Sequence, residues 1–250
     1  MRWEEPFLGP EGWKVIHLGE TGSTNDLARE AGKGGAPDKT VFVADHQLRG
    51  RGRLDRSWLE EPRTSLLFSI LFRRVTLPPM LLTMACSVAA AEAVEEVAGV
   101  RVEIKWPNDL MVKGRKLAGL LTEVGGQGAD AFVVMGMGIN VNFDPSGLPG
   151  IPCTATSLLR ETGVEHSRPR LLHLILARLD ALLSLAPARL SQEVRTRWAD
   201  RLWRRRQKVV LAEGGANLEG VFEDVAEDGA LLLRLDDGTL KSVRAGDLLV

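Results

Sequence analysis

Two apolar, β-rich runs, Thr40 to Asp45 and Ser65 to Phe72, flank a stretch that neither a helix nor a buried strand can use: Gln47-Leu48-Arg49-Gly50-Arg51-Gly52-Arg53-Leu54-Asp55-Arg56-Ser57-Trp58. Its arginines carry hydrated cations, and its glycines lose more conformational freedom than any other residue when fixed in regular structure. The segment therefore reads as an exposed loop slung between two strands. Glycine lets backbone approach a ligand, and guanidinium forks suit phosphate and carboxylate. Such a loop should close over something anionic. The same residues also allow a plain solvated turn or an RNA contact.

Bulk properties narrow these readings. A chain of 250 residues holds one large domain and a small one. The net charge of −1 gives no net basic face, which argues against a DNA-coating or membrane-surface protein. Cys86 and Cys153 have no metal-ligand spacing and make no disulfide framework, so a reducing cytoplasm is the default location. Met1 to Pro10 lacks the apolar run of a signal peptide, and Glu92, Glu95 and Glu96 interrupt Met80 to Ala98 as a membrane span.

Periodicity supplies the frame. Val15 to Leu18 is a short strand, and Ser23, Thr24 or Asn25 can cap a helix that runs on through Leu27 to Lys33. The same three side chains, with free helix N–H groups, could instead hold a polar ligand. Met80 to Ala98 is a buried helix between Pro79 and Gly99. Val102 to Lys105 and Asp109 to Val112 are strands joined by a tight Trp106-Pro107-Asn108-Asp109 turn. That turn needs only its proline and one Asx residue, so Lys105, Trp106 and Asp109 exceed its structural needs, although Trp106 reads equally well as core. Lys116 to Glu123 returns as a strand, with Gly119 marking a close backbone approach. Ala131 to Met135 is a buried strand that leads into Gly136-Met137-Gly138-Ile139-Asn140. This Gly-x-Gly lacks the third glycine of a dinucleotide fingerprint. Helices are expected over Arg168 to Ala186, ended by Pro187, and over Ser191 to Trp203. From Lys208 onward, turn signals at Glu213-Gly214, Asp228-Gly229, Asp237-Gly238 and Ala245-Gly246 separate short strands and predict a small β-barrel. The division is expected to fall between residues 1–204 and 205–250.

Taken together, Glu20-Thr21-Gly22-Ser23-Thr24-Asn25, Gly50-Arg51-Gly52-Arg53, Lys105-Trp106-Pro107-Asn108-Asp109, Lys116-Leu117-Ala118-Gly119-Leu120-Leu121 and Gly138-Ile139-Asn140-Val141-Asn142 resemble one family. That family is the biotin protein ligases, which join biotin to a lysine of a carboxylase carrier domain. The resemblance implies an α+β fold: a mixed β-sheet packed by helices, of the class II synthetase-like kind, with a small C-terminal SH3-like β-barrel. It implies ATP and biotin as substrates, Mg²⁺, a biotin carboxyl carrier protein as partner, and biotinyl-AMP as intermediate. The chain looks like the monofunctional class, without a DNA-binding domain. Two copies could pair through a sheet edge, as in some relatives. Asp55 departs from the pattern, because the family usually has glycine there. A carboxylate beside a phosphate-binding arginine is expected to lower affinity or retime loop closure.

By resemblance, Ser23, Thr24, Asn25 and Gln47 line the biotin ring pocket. Gly50, Arg51, Gly52, Arg53 and Gly119 hold the biotin tail, and Lys116 reaches the reacting carboxyl oxygens. Arg51 and Arg53 join Lys116 as the catalytic cations. Arg51, Arg53, Arg56, Trp58, Lys105, Asn108 and Asn140 meet ATP or the adenylate, with Trp58 beside adenine. Asp109 is the expected Mg²⁺ contact. Lipoate or octanoate ligases and transferases share the expected fold and form the nearest alternative. An RNA-binding module is the distant one, and six tryptophans with no tyrosine support a stacking platform poorly.

Overall fold

The protein is described from a computed structural model, covering residues 9–54, 56–73, 77–147, 150–151 and 154–249. Asp55 and Cys153 lie outside the described residues. A seven-stranded mixed sheet comprises β1 (Lys14–Thr21), β2 (Thr40–Gln47), β3 (Ser65–Phe72), β4 (Glu103–Lys105), β5 (Asp109–Val112), β6 (Arg115–Gly125) and β7 (Phe132–Asn140), in the spatial order β1-β2-β3-β7-β6-β5-β4. β1 and β2 are parallel, and every other neighbouring pair is antiparallel.

Strand β3 shows how the sequence sorts between the two faces. Side chains alternate along a strand. Leu66, Phe68, Ile70 and Phe72 thus enter the main core, while Ser69 and Leu71 point to the opposite face. The core face is covered by α2 (Pro79–Ala98), which packs on β6 and against α4 (Arg168–Leu183) and α5 (Pro187–Ala199). Helix α2 begins at Pro79, and Gly99 ends it in the left-handed region at φ 65°. Within it, burial pushes the Cys86 thiol pKa up and leaves it a core residue without thiolate character. On the opposite face, α1 (Thr24–Lys33) lays Ala28 among Phe42, Leu71, Phe132 and Val134. Beyond the N-terminus of α1, that face is left for the site.

A second sheet follows, with β8 (Lys208–Glu213), β9 (Ala216–Val225), β10 (Leu231–Arg234), β11 (Leu240–Val243) and β12 (Asp247–Leu249) in the order β11-β10-β9-β8-β12, all antiparallel. Its Phe222, Leu231, Leu233, Val243 and Leu248 join the same apolar cluster as α2 and the large sheet. Trp106 Nε1 donates to Gly229 O at 3.0 Å, so this indole pins the turn between β9 and β10 to the large sheet. Trp106 is 1% exposed, which makes it a core residue and not a wall of the site.

The helices after Arg168 depart from expectation. The first stops at Leu183, and Pro187 opens the second instead of ending the first. Proline lacks an N–H, which costs nothing at the first helical position and suits either side of a break. The second helix accordingly covers Pro187–Ala199 and not Ser191 to Trp203. Strand β7 also runs through Gly136 and Gly138 to Asn140, past the expected end at Met135. Glycine weakens a strand in isolation, but here the ladder to β3 and β6 holds it. A short helix, α3 (Leu158–Thr162), leads into the second half of the chain.

Candidate active site

The floor of the site is the open face of β3, β6 and β7. Gly119 on β6 pairs with Gly138 on β7, and Leu121 pairs with Gly136. The paired glycines leave a strip without side chains, and the Trp58 indole lies on it. A Cβ on Gly138 would come within 2.6 Å of that ring, and one on Gly119 within 3.1 Å. Gly136 is occupied in the same way by Asn25, whose Oδ1 would stand 1.9 Å from an added Cβ. The glycines in the Gly-x-Gly segment therefore make room for two side chains from elsewhere.

The arginine–glycine loop folds back as a small hairpin, with Gly52 N donating to Arg56 O at 2.7 Å and Trp58 N to Gly50 O at 2.9 Å. This puts alternate side chains over the floor and closes a cavity of about 330 Å³, the scale of a cofactor-sized ligand. Each guanidinium directed at the site has a carboxylate. Arg51 donates to Asp26 at 2.6 Å and Glu123 at 2.8 Å. Arg53 donates to Asp247 at 3.0 Å, Asn108 at 2.9 Å and Gly246 O at 3.1 Å, and Arg56 to Asp247 at 2.9 Å. Across the cavity, Lys116 Nζ is 2.8 Å from Asp109 and 5.8 Å from the Trp58 ring centre. The site is thus rich in cations that are already paired, and an anionic ligand must exchange with carboxylates to reach them.

One end of the cavity is a compact network of hydroxyls and amides. Gln47 Oε1 accepts from Thr24 N at 2.7 Å and from Thr24 Oγ1 at 3.0 Å. Ser69 Oγ lies 2.7 Å from Thr24 Oγ1 and 2.5 Å from Asn25 Oδ1. Asn25 Nδ2 donates to Glu123 at 2.8 Å. Ser23 occupies the N-cap position of α1 but makes no side-chain capping bond. The cap expected of Ser23, Thr24 or Asn25 is therefore replaced by tertiary partners. Asn108 and Asn140 are engaged as well: Asn108 Nδ2 donates to Leu120 O and Asn140 Nδ2 to Thr156 O, at 2.5 and 2.9 Å.

Charge and burial shift two titratable groups. Burial pulls the Arg51 guanidinium down, but the hydrogen bonds and charges of Asp26 and Glu123 together hold its pKa above the ordinary value. Burial lowers the Lys105 ammonium, and Lys116 and Arg56 add to that while Asp109 and Asp247 oppose it.

The cavity gathers Ser23, Thr24, Asn25 and Gln47 with Arg51, Gly52, Arg53, Arg56 and Trp58 from the loop, and with Lys105, Asn108, Asp109, Lys116, Gly119 and Asn140 from β4 to β7. Gly50 is off its wall, packed beneath Trp58, where a Cβ would sit 2.8 Å from Trp58 O. Sequence reasoning missed Ser69, Glu123, Gly136 and Asp247. Glu123 carried a signal, since it follows Gly119 and Leu121 at strand period. Ser69 looked like one polar residue in an apolar strand. Asp247 lies 194 residues from Arg53, and no local pattern links them.

Residues 20–140 match the biotin/lipoate A/B protein ligase family, and residues 207–249 match the biotin protein ligase C-terminal domain. The chain is 34% identical over 248 aligned positions to a biotin–[acetyl-CoA-carboxylase] ligase of Mycobacterium tuberculosis, covering 95% of this chain and 89% of that one. It is 30% identical over 230 positions to a biotin–[acetyl-CoA-carboxylase] ligase of Paracoccus denitrificans, covering 87% and 92%. Among solved structures, the biotin protein ligase from Aquifex aeolicus in complex with biotin and ATP superposes with a TM-score of 0.79 at 27% identity, over 94% of this chain and 97% of that one.

Proposed function

The chain belongs to the biotin/lipoate A/B protein ligase family, and on that premise we propose that it is an ATP-dependent biotin ligase acting on a biotin carboxyl carrier protein. The observation that carries this reading is the shared cavity: a hydroxyl- and amide-lined end meets a set of cations held by a closing loop.

In the first step a biotin carboxylate oxygen attacks the α-phosphorus of ATP. The bond to the β-phosphate bridge breaks, and its electron pair leaves with pyrophosphate. In the second step the neutral amine of the acceptor lysine attacks the carbonyl of the mixed anhydride, an amide forms, and AMP departs. Both reactants of the first step are anions, so the site must supply positive charge and exclude water. Arg51, Arg53, Arg56 and Lys116 supply that charge. Their carboxylate partners hold them at the cavity until the substrate anions displace those partners. Positioning and electrostatics carry the rate, and no residue needs to form a covalent bond.

Biotin's ureido ring presents both donors and an acceptor. Ser23, Thr24, Asn25 and Gln47 can answer both kinds, whereas an apolar pocket would leave them unpaired. Gly52 and Gly119, both on the cavity wall, let backbone approach the biotin tail, while Gly50 makes room for Trp58. Trp58 flanks adenine. Asn140, its Nδ2 already committed, has a carbonyl left for the exocyclic amine of the base. Lys105 and Asn108 complete the nucleotide side.

Among the described residues no cluster of three or more His, Cys, Asp or Glu side chains could cage a metal. This donor set fits Mg²⁺ brought in by the phosphates, because that ion commonly takes one or two carboxylates plus substrate oxygens. Asp109, which the structure pairs with Lys116, would be its protein contact, and the ion would neutralise phosphate charge. A second copy of the chain would pair along β1, an edge of the large sheet. The same reading places the enzyme in the cytoplasm with its ATP. No helix among the described residues is long and apolar enough to cross a membrane.

ATP–pyrophosphate exchange in Mg²⁺, with biotin, lipoate or no acid, tests the reading. Exchange with biotin alone is expected. Exchange with lipoate alone would transfer the chain to the lipoate branch, and exchange with neither would overturn the ligase assignment.

A further inference from the structure

Glu123 has no role in the scheme above, yet it touches both halves of the site. Its carboxylate is divided between two partners: Oε2 accepts from Asn25 Nδ2 at 2.8 Å, and Oε1 accepts from Arg51 at 2.8 Å. The Asn25 amide is fixed from its other end as well. Its Oδ1 lies 2.5 Å from Ser69 Oγ and is pressed against β7 at Gly136, where no Cβ would fit. A carboxylate accepts only, so it dictates that the N–H end of the amide faces it and that the carbonyl end is left to Ser69 and the β7 backbone. Arg51 meanwhile has a second carboxylate in Asp26, one residue along α1 from Asn25. The pocket floor and the loop that covers it are therefore joined through one side chain on a rigid central strand.

Simple stabilisation explains this arrangement poorly. The Arg51 side chain is 38% exposed, and an ion pair at that exposure adds little to stability. Asp26 would satisfy the guanidinium without Glu123. We infer that Glu123 is a positioning residue that couples ring binding to loop closure. It holds the Asn25 amide in one orientation at the ring end of the cavity, and it ties that setting to the place of Arg51 in the loop. The ligand's identity in this inference rests on the biotin ligase reading, while the coupling rests on the contacts alone.

The test compares Glu123→Gln and Glu123→Asp with the unaltered enzyme. Glutamine can accept with one end only, so Asn25 gains a competing amide orientation and Arg51 loses a charged partner. Asp keeps the charge but is one methylene too short to serve both partners. Glu123→Gln is expected to raise the KM for biotin at least tenfold and to shorten retention of biotinyl-AMP at least fivefold, with the KM for ATP changed less than threefold. Glu123→Asp is expected to fall between the two, which also keeps the test valid if the glutamine variant folds poorly. In an Arg51→Ala background, Glu123→Gln should retain its effect on biotin KM and lose its effect on adenylate retention. Biotin KM and retention both within twofold of the unaltered enzyme would overturn the proposal, and so would equal effects in both backgrounds. If the unaltered protein shows no biotin-dependent exchange, the ligase reading fails instead. Amide hydrogen exchange of Arg51, Gly52 and Arg53 then tests the coupling alone, with faster exchange expected in Glu123→Gln and unchanged exchange overturning it.

Discussion

Asp247, on the last strand of the C-terminal sheet, grips two arginines of the closing loop at once, Arg53 through Oδ1 at 3.0 Å and Arg56 through Oδ2 at 2.9 Å. The two halves of the grip differ in strength. Arg56 is 69% exposed, so its pair contributes at most about 1 kcal/mol, whereas Arg53 is 25% exposed and also bonded to Asn108 and Gly246. On the proposed reading, phosphate oxygens entering the cavity would compete with Asp247 for the same forks, and Arg56 would be the easier to win. The C-terminal sheet is in this way linked to the arginine–glycine loop over the cavity.

Asp247→Asn should therefore lower the KM for ATP, by roughly threefold to tenfold, because an amide holds the guanidinium more weakly than a carboxylate does. The KM for biotin should stay within twofold. Initial rates of pyrophosphate exchange check this, and a higher KM for ATP would show that Asp247 aligns the arginines more than it competes for them.

The glycine floor makes a graded prediction. Gly138→Ala drives a Cβ to 2.6 Å from the Trp58 ring, and Gly136→Ala drives one to 1.9 Å from Asn25 Oδ1. Overpacking of this kind costs roughly 1–3 kcal/mol. Gly138→Ala should chiefly raise the KM for ATP, and Gly136→Ala chiefly the KM for biotin. Gly119→Ala, with its nearest ring atom at 3.1 Å, should be the mildest of the three. Steady-state kinetics beside thermal unfolding separates site damage from global loss, and an equal effect on both substrates in every variant would contradict this layout.

Lys116 should act on the reaction more than on binding. Its ammonium, paired with Asp109 at 2.8 Å, is available to charge that develops between carboxylate and phosphate. Lys116→Ala is expected to slow adenylation by roughly a hundredfold to a thousandfold, the usual loss for one transition-state donor. Biotin affinity by calorimetry should change far less, and equal losses would make Lys116 a binding residue.

Lys105 makes the site sensitive to alkaline pH. Burial lowers its pKa, so the free protein sheds this proton below the ordinary lysine value of about 10.4. A bound phosphate favours the charged form and restores the proton. ATP binding should thus take up a proton between the lowered free value and the higher bound value, and affinity should fall as pH rises through the free value. The unfolded chain holds this proton more tightly, so across the same window the Lys105 contribution makes folding more favourable as pH rises. Calorimetry of ATP binding in buffers of different ionisation enthalpy measures the uptake, and Lys105→Met should abolish it.

What the sequence by itself determined is local and chemical. Continuous apolar runs located β3 and α2 almost to the residue and β2 up to its last two residues, because an element buried on both faces has no polar side to alternate with. Glycine and Asx pairs located the turns of the C-terminal sheet. The alternation of arginine and glycine identified an exposed cationic loop between two strands. Tertiary structure decided what those groups meet. The register of β6 on β7 sets Gly119 against Gly138 and so turns two glycines into a bed for Trp58. Folding brings Ser69 under Asn25 and brings Asp247, from the far end of the chain, onto Arg53. It also sends Trp106 into the core, where its N–H finds Gly229 O. A residue's type limits which partners it can accept, but distance along the chain carries no record of which one it receives. That choice belongs to strand register and to the packing of one sheet against the other.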